Sequence, residues 1–481
     1  MTRTWLLMPV FVLGFALIAR LGASAPPSNA GLGAPTSPGE EETGCVAPVG
    51  WFQPGGTKEA SYTTDLDPDN DCDFYRFAWQ TFLFVTGPDQ GETQPRFLKF
   101  ATPDEVFGES SGLAFPKKRK KGDLVLSPRV RKPKGVRDID TVFQAISNGI
   151  VVDQNGRPLY YGLHMNDAFV TFVKKNNLTT PDGIGNASKT LMFEPGCVEF
   201  KSSWRVVGEE EDTSNVITRM ATLPTLVMTD NKLMIDADHP RDEKVALVGL
   251  HVVGVAKGHP EFIWATFEHL KNAPDLPVDL INISRTDPST KPAWDAPVTD
   301  KSWTFCPKDT HAIQCNVQNN DPDHPVQLNA DKQTLSPVTP IFRHYAFGGD
   351  NPRGVVSLNA SVHEKLPAGD VRKNYEMIGA VWLDRPLDRD GEPGTFVEGH
   401  PFGDELLAGA TKLSSSTMET FTQNTNSQRN CFGCHDTTPQ LVTTTTPNII
   451  LKGARINVSH MILRAFTQGR QMEALKKQKD K

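Results

Sequence analysis

A cysteine–histidine motif close to the C-terminus places the strongest constraint on this chain. Cys431, Phe432, Gly433, Cys434 and His435 follow one another in the pattern C-x-x-C-H. Two thiols at this spacing can add to the two vinyl groups of one porphyrin, and the histidine that follows then becomes the proximal ligand of the iron. The motif therefore predicts one covalently bound haem c per chain, attached to Cys431 and Cys434 and ligated by His435.

Other kinds of site also use a C-x-x-C pair. Thioredoxin-like redox sites carry it near the start of a βαβ unit and need no histidine. Structural zinc sites use it as half of a ligand set that has a second pair at similar spacing. The chain has no second C-x-x-C and no histidine pair at zinc-ligand spacing. A zinc site or a redox dithiol is the alternative to haem, and a coincidental match is the other.

A second axial ligand is expected because the iron of an electron-carrying haem is usually held by two side chains, histidine or methionine. His460 and Met461 lie at the start of the last predicted helix. Neighbours on a helix point about 100° apart, so only one of them can reach the iron. We predict His460 as this metal ligand, with Met461 as the alternative. Met418, another residue of the preceding domain or an open coordination position are the further options.

The first 25 residues have the pattern of an export signal. Arg3 lies in a short positive segment, the run from Trp5 to Ala19 is apolar, and Ala23-Ser24-Ala25 has the A-x-A form of a cleavage site. The apolar run is shorter than the about 20 residues of a spanning helix. We therefore expect a periplasmic or secreted protein with no membrane segment after signal removal. An uncleaved N-terminal anchor is the alternative.

The cysteines outside the motif should be paired, because exposed thiols are a liability in an oxidising compartment. Cys306 and Cys315 are close in sequence and are candidates for a loop-closing disulfide. Cys45 and Cys72 are candidates for a second one, which leaves Cys197 as a buried thiol. Spacing alone does not determine connectivity, so both pairings are hypotheses.

Apolar periodicity predicts an α+β fold with a large mixed, β-rich body over 45–400 and a short helical haem-bearing segment over 401–481. Residues 26–44 are rich in Pro, Gly and Ser, as in a disordered leader. The run of prolines and glycines over Pro386–Pro401 predicts a hinge. Helical spacing or β-branched runs predict the individual elements: helices over Cys72–Val85, Phe143–Asn148, Asn166–Asn176, Asp404–Thr422 and Val458–Lys476; strands over Val216–Met228, Lys232–Ile235, Val245–Ala256 and Tyr375–Leu383; helix or strand over Glu261–Asn272.

Three weaker polar signals have ordinary structural explanations. His251 lies in an apolar strand pattern, where a histidine is most often a hydrogen-bonded core residue. His269 follows Glu268, which could orient its ring, although a structural role is again favoured. The acidic cluster over 65–71 lacks the glycine and the terminal glutamate of a calcium-binding EF-hand loop, so it is typical of a solvated turn.

Several segments resemble a group of exported bacterial proteins known only as cytochrome c family proteins. The resemblance covers most of the mature chain and implies haem binding and a redox role, without indicating a substrate. The group's haem motif corresponds to Cys431, Cys434 and His435. The large body departs from the small helical cytochrome c fold. The segments that carry the resemblance are Cys72–Phe84, Cys197–Trp204, Leu250–Asn272, Met418–Phe421 and Asn430–His435.

These observations lead to three hypotheses about function. The first is an exported monohaem c-type cytochrome that acts in electron transfer with a redox partner protein or a small-molecule donor or acceptor. The second is a periplasmic haem oxidoreductase whose large domain binds a small-molecule substrate, and the third is a haem-based sensor. A formal net charge of −7 gives no reason to expect nucleic-acid binding. The basic run Lys117–Lys121 is typical of a solvated loop, or of a docking surface for an acidic redox partner.

Overall fold

A computed structural model gives the fold of the chain. It describes residues 44–53, 56–67, 70–108, 124–128, 149–230, 232–281, 283–319, 326–345, 347, 353–383, 407–410, 412–423, 431–433, 435, 437–442 and 449–479. The predicted signal, nearly all of the leader, the helix at Phe143–Asn148, the basic run, the hinge and Cys434 lie outside these residues. The chain from Gly44 to Lys481 forms one compact unit.

The described chain combines helices with a large mixed sheet, which confirms the predicted mixture of helix and strand. The helices are α1 (Asp71–Thr86), α2 (Pro103–Phe107), α3 (Asp167–Lys175), α4 (Pro181–Gly185), α5 (Lys291–Trp294), α6 (Arg353–Lys365) and α7 (His460–Lys479). The strands are β1 (Leu124–Val125), β2 (Ser127–Pro128), β3 (Tyr160–Met165), β4 (Val198–Val206), β5 (Thr218–Thr229), β6 (Lys232–Ala256), β7 (His259–His269), β8 (Gln327–Asn329), β9 (Thr334–Ser336), β10 (Tyr375–Leu383), β11 (Leu407–Gly409), β12 (Gln440–Val442) and β13 (Ile449–Leu451).

One large mixed sheet organises the chain. Seven of its strands lie in the order β11-β10-β7-β6-β4-β3-β2, and β5 joins the sheet through β6 and carries β1. The pairs are antiparallel except for the parallel pair of β1 and β5. The strand β6 is long because its first part pairs with β5 and its second part with β4. Short two-stranded ladders form between β8 and β9 and between β12 and β13.

One face of the sheet is apolar and packs against α1 and α6. Phe200 and Phe267 belong to the same buried cluster as the aromatic side chains of α1. Phe82 of α1 stacks on Phe267 with their ring centroids 4.2 Å apart. The indole N–H of Trp79 donates to Asn359 Oδ1 of α6 at 2.8 Å, which joins the two helices. Burial of this aromatic surface is the main driving force for the layer.

The opposite face of the sheet carries a row of buried polar side chains. Glu199, Lys201 and Ser203 occupy alternate positions of β4, opposite to Phe200 on the apolar face, and therefore point away from α1. His251 of β6 lies opposite Lys201 in the ladder. Polar groups buried on a sheet are costly unless they find partners. Residues 412–423 and the start of α7 cover this face and supply them.

The structure corrects one predicted helix, assigns one segment that was left as helix or strand, and joins two predicted strands into one. Asp404–Thr422 is not a helix, because Leu407–Gly409 is strand β11 and the described residues from 412 to 423 form turns. The serines of this segment bond to Glu268 of the sheet, and short hydroxyl side chains favour such turns over helix interiors. Glu261–Asn272 falls mainly in strand β7, and the two predicted strands between 232 and 256 are the single strand β6.

Of the cysteines outside the motif, two form a disulfide and three are thiols. Cys45 and Cys72 form a disulfide that ties the chain before α1 to the first turn of that helix. The hypothesised disulfide between Cys306 and Cys315 is wrong, because both are thiols of one buried cluster and donate to the backbone carbonyls of Pro307 and His311, each at 3.7 Å. Cys197 is a buried thiol.

In the part of the chain that the structure describes, no helix has the length and apolar composition needed to cross a membrane.

Gly249 allows residues 412–423 to approach the sheet, and alanine there should weaken the fold. A Cβ at position 249 would lie 2.6 Å from both Ser203 Oγ and Thr417 Oγ1, two buried hydroxyls that bond to each other. Overpacking of this kind typically costs about 1–3 kcal/mol. We expect Gly249→Ala to lower the free energy of urea unfolding by that amount. Gly50→Ala is the control, since a Cβ there meets no atom within 4 Å. Equal stability of the two variants would contradict the close approach.

Candidate functional site

The cysteine–histidine motif lies against the polar face of the sheet. Cys431–Gly433 forms a short 3-10 turn, and the backbone N–H of His435 donates to Cys431 O at 2.9 Å, which continues the turn. Phe432 is buried in the same apolar cluster as Trp264 of β7 and Ile462 of α7. Body, motif and last helix therefore share one core cluster at this site.

The side chain of His435 is oriented by a backbone carbonyl. Its Nδ1 lies 2.7 Å from Val458 O, in the turn that precedes α7. A carbonyl oxygen only accepts, so Nδ1 carries the proton and Nε2 keeps its lone pair. This second bond is the usual way in which proteins hold a metal-binding imidazole in one tautomer and orientation.

Burial keeps the histidines of the site neutral. It lowers the pKa of His435 to about 3, and the hydrogen bond to Val458 O opposes this only in part. Burial also lowers the pKa of His460 well below its ordinary value, and the neighbouring charge of Lys201 acts in the same direction. Because a metal binds the neutral form of imidazole, both rings have the protonation state of a ligand.

Two aromatic rings lie directly beside His435. The centroid of His460 is 3.7 Å from that of His435, and the indole of Trp264 lies 4.0 Å away. Two imidazoles that share one iron have centroids about 6 Å apart, since each metal–nitrogen bond is about 2 Å long. The structure thus brings the His460 ring against the His435 ring at contact distance, closer than two ligands of one iron would lie. Coordination by both requires the rings to separate by about 2–3 Å.

The methionine candidates lie in apolar clusters. Met461 is buried among the residues that surround Phe432 and Ile462. Met418 is buried in another cluster, together with Val248 of β6 and Phe421.

The start of α7 is held by a carboxylate of the sheet. Glu199 of β4 accepts the hydroxyl of Ser459 and the backbone N–H groups of His460 and Met461. Burial raises the pKa of Glu199 to about 7, and these hydrogen bonds counteract part of the rise. Ser459 also caps the helix, because its Oγ accepts the N–H of Met461 at 3.1 Å.

A charged cluster lies next to the two histidines, one step along the sheet. His251 Nε2 donates to Glu419 Oε1 at 3.2 Å, and its Nδ1 lies 2.9 Å from Thr266 Oγ1. Lys201 Nζ is 4.0 Å from the same Glu419 oxygen. Burial opposes the ionisation of Glu419, but His251 and Lys201 outweigh it and lower its pKa to about 2. Lys201 and His251 also act electrostatically on His435 and His460.

A second carboxylate anchors residues 412–423 further along the same face. Glu268 of β7 accepts from Ser415 Oγ at 2.8 Å and from Ser416 Oγ at 2.7 Å. Arg343 lies near Glu268 and donates to Glu376 Oε1 of β10 at 2.8 Å. These bonds hold the segment that carries Glu419 over the middle of the sheet.

Sequence reasoning missed the sheet residues of this site. Glu199 and Lys201 lie at alternate positions of β4 with Val198 and Phe200 between them, and this pattern was the available signal for a strand with one polar face. Trp264 gave no separate signal, because an aromatic residue in a buried strand is ordinary core. His251 is hydrogen-bonded as expected of a core histidine, but its partner Glu419 comes from the C-terminal segment.

Two properties of the described site suit a haem: the fixed orientation of the His435 ring and its neutral state. The described residues include no group of three or more His, Cys, Asp or Glu side chains arranged to hold a metal ion.

Comparison of the chain with protein-family models, curated proteins and solved structures gives no match.

Replacement of Glu419 by glutamine should make stability less sensitive to acid. The folded-state pKa lies below the ordinary value of 4.5, so ionised Glu419 stabilises the fold above about pH 4.5 and the contribution is lost as the pH falls towards 2. The contribution is at most about 3 kcal/mol at about 1.4 kcal/mol per pKa unit, and solvent screening of this part-exposed side chain reduces it.

We expect Glu419→Gln to lose less free energy of unfolding than the wild type between pH 6 and pH 3, measured by urea titration. Glu194→Gln, which removes an exposed carboxylate paired with Lys175, is the control for net charge and should follow the wild type. Identical pH profiles for Glu419→Gln and the wild type would show that the His251–Glu419 contact does not stabilise the fold.

Proposed function

We propose that this protein is an exported monohaem c-type cytochrome that acts in electron transfer. The observation that carries the proposal is the C-x-x-C-H motif together with the bond from His435 Nδ1 to Val458 O. The motif supplies the two thiols and the proximal imidazole, and the bond leaves Nε2 free for a metal. A bound haem would supply one-electron chemistry, with either a redox protein or a small molecule as partner.

Different residues of the site would attach the haem, ligate its iron and exclude water from it. Cys431 and Cys434 would attach it, and His435 would ligate the iron from one side. His460 is the proposed second ligand, with Met461 as the alternative. Trp264, Phe432 and the apolar residues around them would exclude water, which influences the reduction potential of a haem.

Export is proposed on two independent grounds. The pattern of residues 1–25 is that of a signal peptide. The disulfide between Cys45 and Cys72 favours an oxidising compartment, such as the periplasm or the extracellular space. Haem is attached to C-x-x-C-H motifs in the same compartments, so the two proposals support each other.

The haem proposal is tested on protein produced by cells that export and mature c-type cytochromes. We expect the pyridine haemochrome assay to give one haem c per chain, retained after extraction with acidified acetone. The double variant Cys431→Ser/Cys434→Ser should retain none, because both thioether bonds are lost. Cys197→Ser, which removes a buried thiol outside the motif, should retain it. A wild-type protein without covalent haem would contradict the proposal.

A haem oxidoreductase is the second candidate, and the charged cluster favours it. Lys201, His251 and Glu419 lie beside the two histidines, where an electron carrier needs no acid–base groups. A low-spin haem that does not bind CO supports the carrier. A high-spin haem that binds CO or reacts with peroxide supports the enzyme.

The identity of the second ligand follows from two matched variants. We expect His460→Ala to lose the low-spin absorption spectrum, because the proposed ligand is removed. Met461→Leu conserves volume at a buried position and should keep it. The reverse result would assign Met461, and an unchanged low-spin spectrum in both would exclude the two residues.

A further inference from the structure

The turn that precedes α7 is held from two sides, and only one of them belongs to the motif. From the motif side, His435 Nδ1–H donates to Val458 O at 2.7 Å. From the sheet side, Glu199 accepts the Ser459 hydroxyl and the N–H groups of the next two residues. Four consecutive residues, 458–461, therefore connect a strand of the large body to the motif histidine.

We infer that Glu199 is a positioning residue for the iron site: through the turn at 458–461 it sets the ring orientation of His435 and the position of His460. This inference rests on the proposed haem function and goes beyond it, since it assigns part of the axial geometry to the body.

Three observations support this role. Glu199 is the second residue of β4 and is paired with Met165 of β3 on one side and Val253 of β6 on the other, so its backbone has little freedom. Its side chain is 4% exposed, and it engages three donors of the turn. The third observation is the short connection, because Val458 and Ser459 are adjacent and a shift of one moves the other.

The arrangement has a direct physical consequence for the histidines. If Glu199 is removed, the Ser459 hydroxyl and the backbone N–H of His460 lose their acceptor in a buried place, where an unsatisfied donor is costly. The N–H of Met461 keeps its bond to Ser459 Oγ. The turn must then shift to satisfy them, and Val458 O moves relative to His435 Nδ1. Because His460 is the first residue of α7, it moves together with the turn.

The test uses haem-loaded, full-length protein with three variants. Glu199→Ala removes the acceptor, Glu199→Gln keeps one amide oxygen, and Ser459→Ala removes one of the donors. Glu376→Gln is the matched control, since Glu376 is also a buried carboxylate of the same sheet but binds Arg343 instead of the turn. Haem content, absorption spectrum, CO affinity and urea stability are measured for each.

We expect Glu199→Ala to keep covalent haem while its low-spin fraction falls and its CO affinity rises by about tenfold, the scale on which loss of a supporting partner of a metal ligand changes metal affinity or activity. Glu199→Gln should fall between Glu199→Ala and the wild type, and Ser459→Ala should change in the same direction. Glu376→Gln should lose stability without a change in spectrum, which separates positioning from mere destabilisation.

Two results would overturn the inference, and both are distinguishable from failure of the haem proposal. One is a Glu199→Ala protein with haem, spectrum and CO affinity equal to those of the wild type. The other is a Glu376→Gln protein with the same spectral change. If the wild type itself carries no haem, the proposed function fails, and imidazole ¹⁵N shifts of the haem-free chain test Glu199 instead. His435 should then be protonated at Nδ1 in the wild type and mixed between tautomers in Glu199→Gln; an unchanged tautomer overturns the inference.

Discussion

Buried polar side chains on one face of the central sheet are the constraint on which the rest of the arrangement depends. Glu199, Lys201, His251 and Glu268 lie on strands that are covered on both sides, where unpaired polar groups cost free energy. The apolar face against α1 and α6 needs no such partners. The polar face therefore requires a second layer that brings hydroxyls, N–H groups and a carboxylate, and the C-terminal residues provide them.

This requirement explains why the motif cannot be understood as a separate small domain. Glu199 binds the turn before α7, Glu268 binds the serines at 415 and 416, and His251 binds Glu419. Each of these contacts joins a strand of the body to a residue after 410. The histidine of the motif is thus oriented by backbone that the body itself holds, and its neighbour Trp264 belongs to the sheet. The body supplies the lining, the charges and the geometry of the proposed haem pocket.

Some of the structure followed from sequence patterns with a clear physical basis. The aromatic residues at helical spacing after Cys72 predicted α1, because the pattern matches the period of a helix. The short, mostly apolar run at Tyr375–Leu383 predicted β10, a strand that is buried at every position. The pairing of Cys45 with Cys72 was a correct hypothesis. The predicted helix over Asp404–Thr422 was wrong, because its serine hydroxyls bond to a carboxylate that lies far away in sequence.

The sequence by itself determined the motif on which the proposed haem chemistry rests, since the C-x-x-C-H spacing is a local property that no folding partner changes. It also placed His460 at the start of the last helix, because apolar periodicity is a local property. Only the tertiary structure decided what surrounds His435. The contacts with Val458, Trp264 and His460, and the cap by Glu199, join residues that are far apart in the chain. Such contacts arise from strand register and from the need to satisfy buried polar groups, and neither can be read from local spacing.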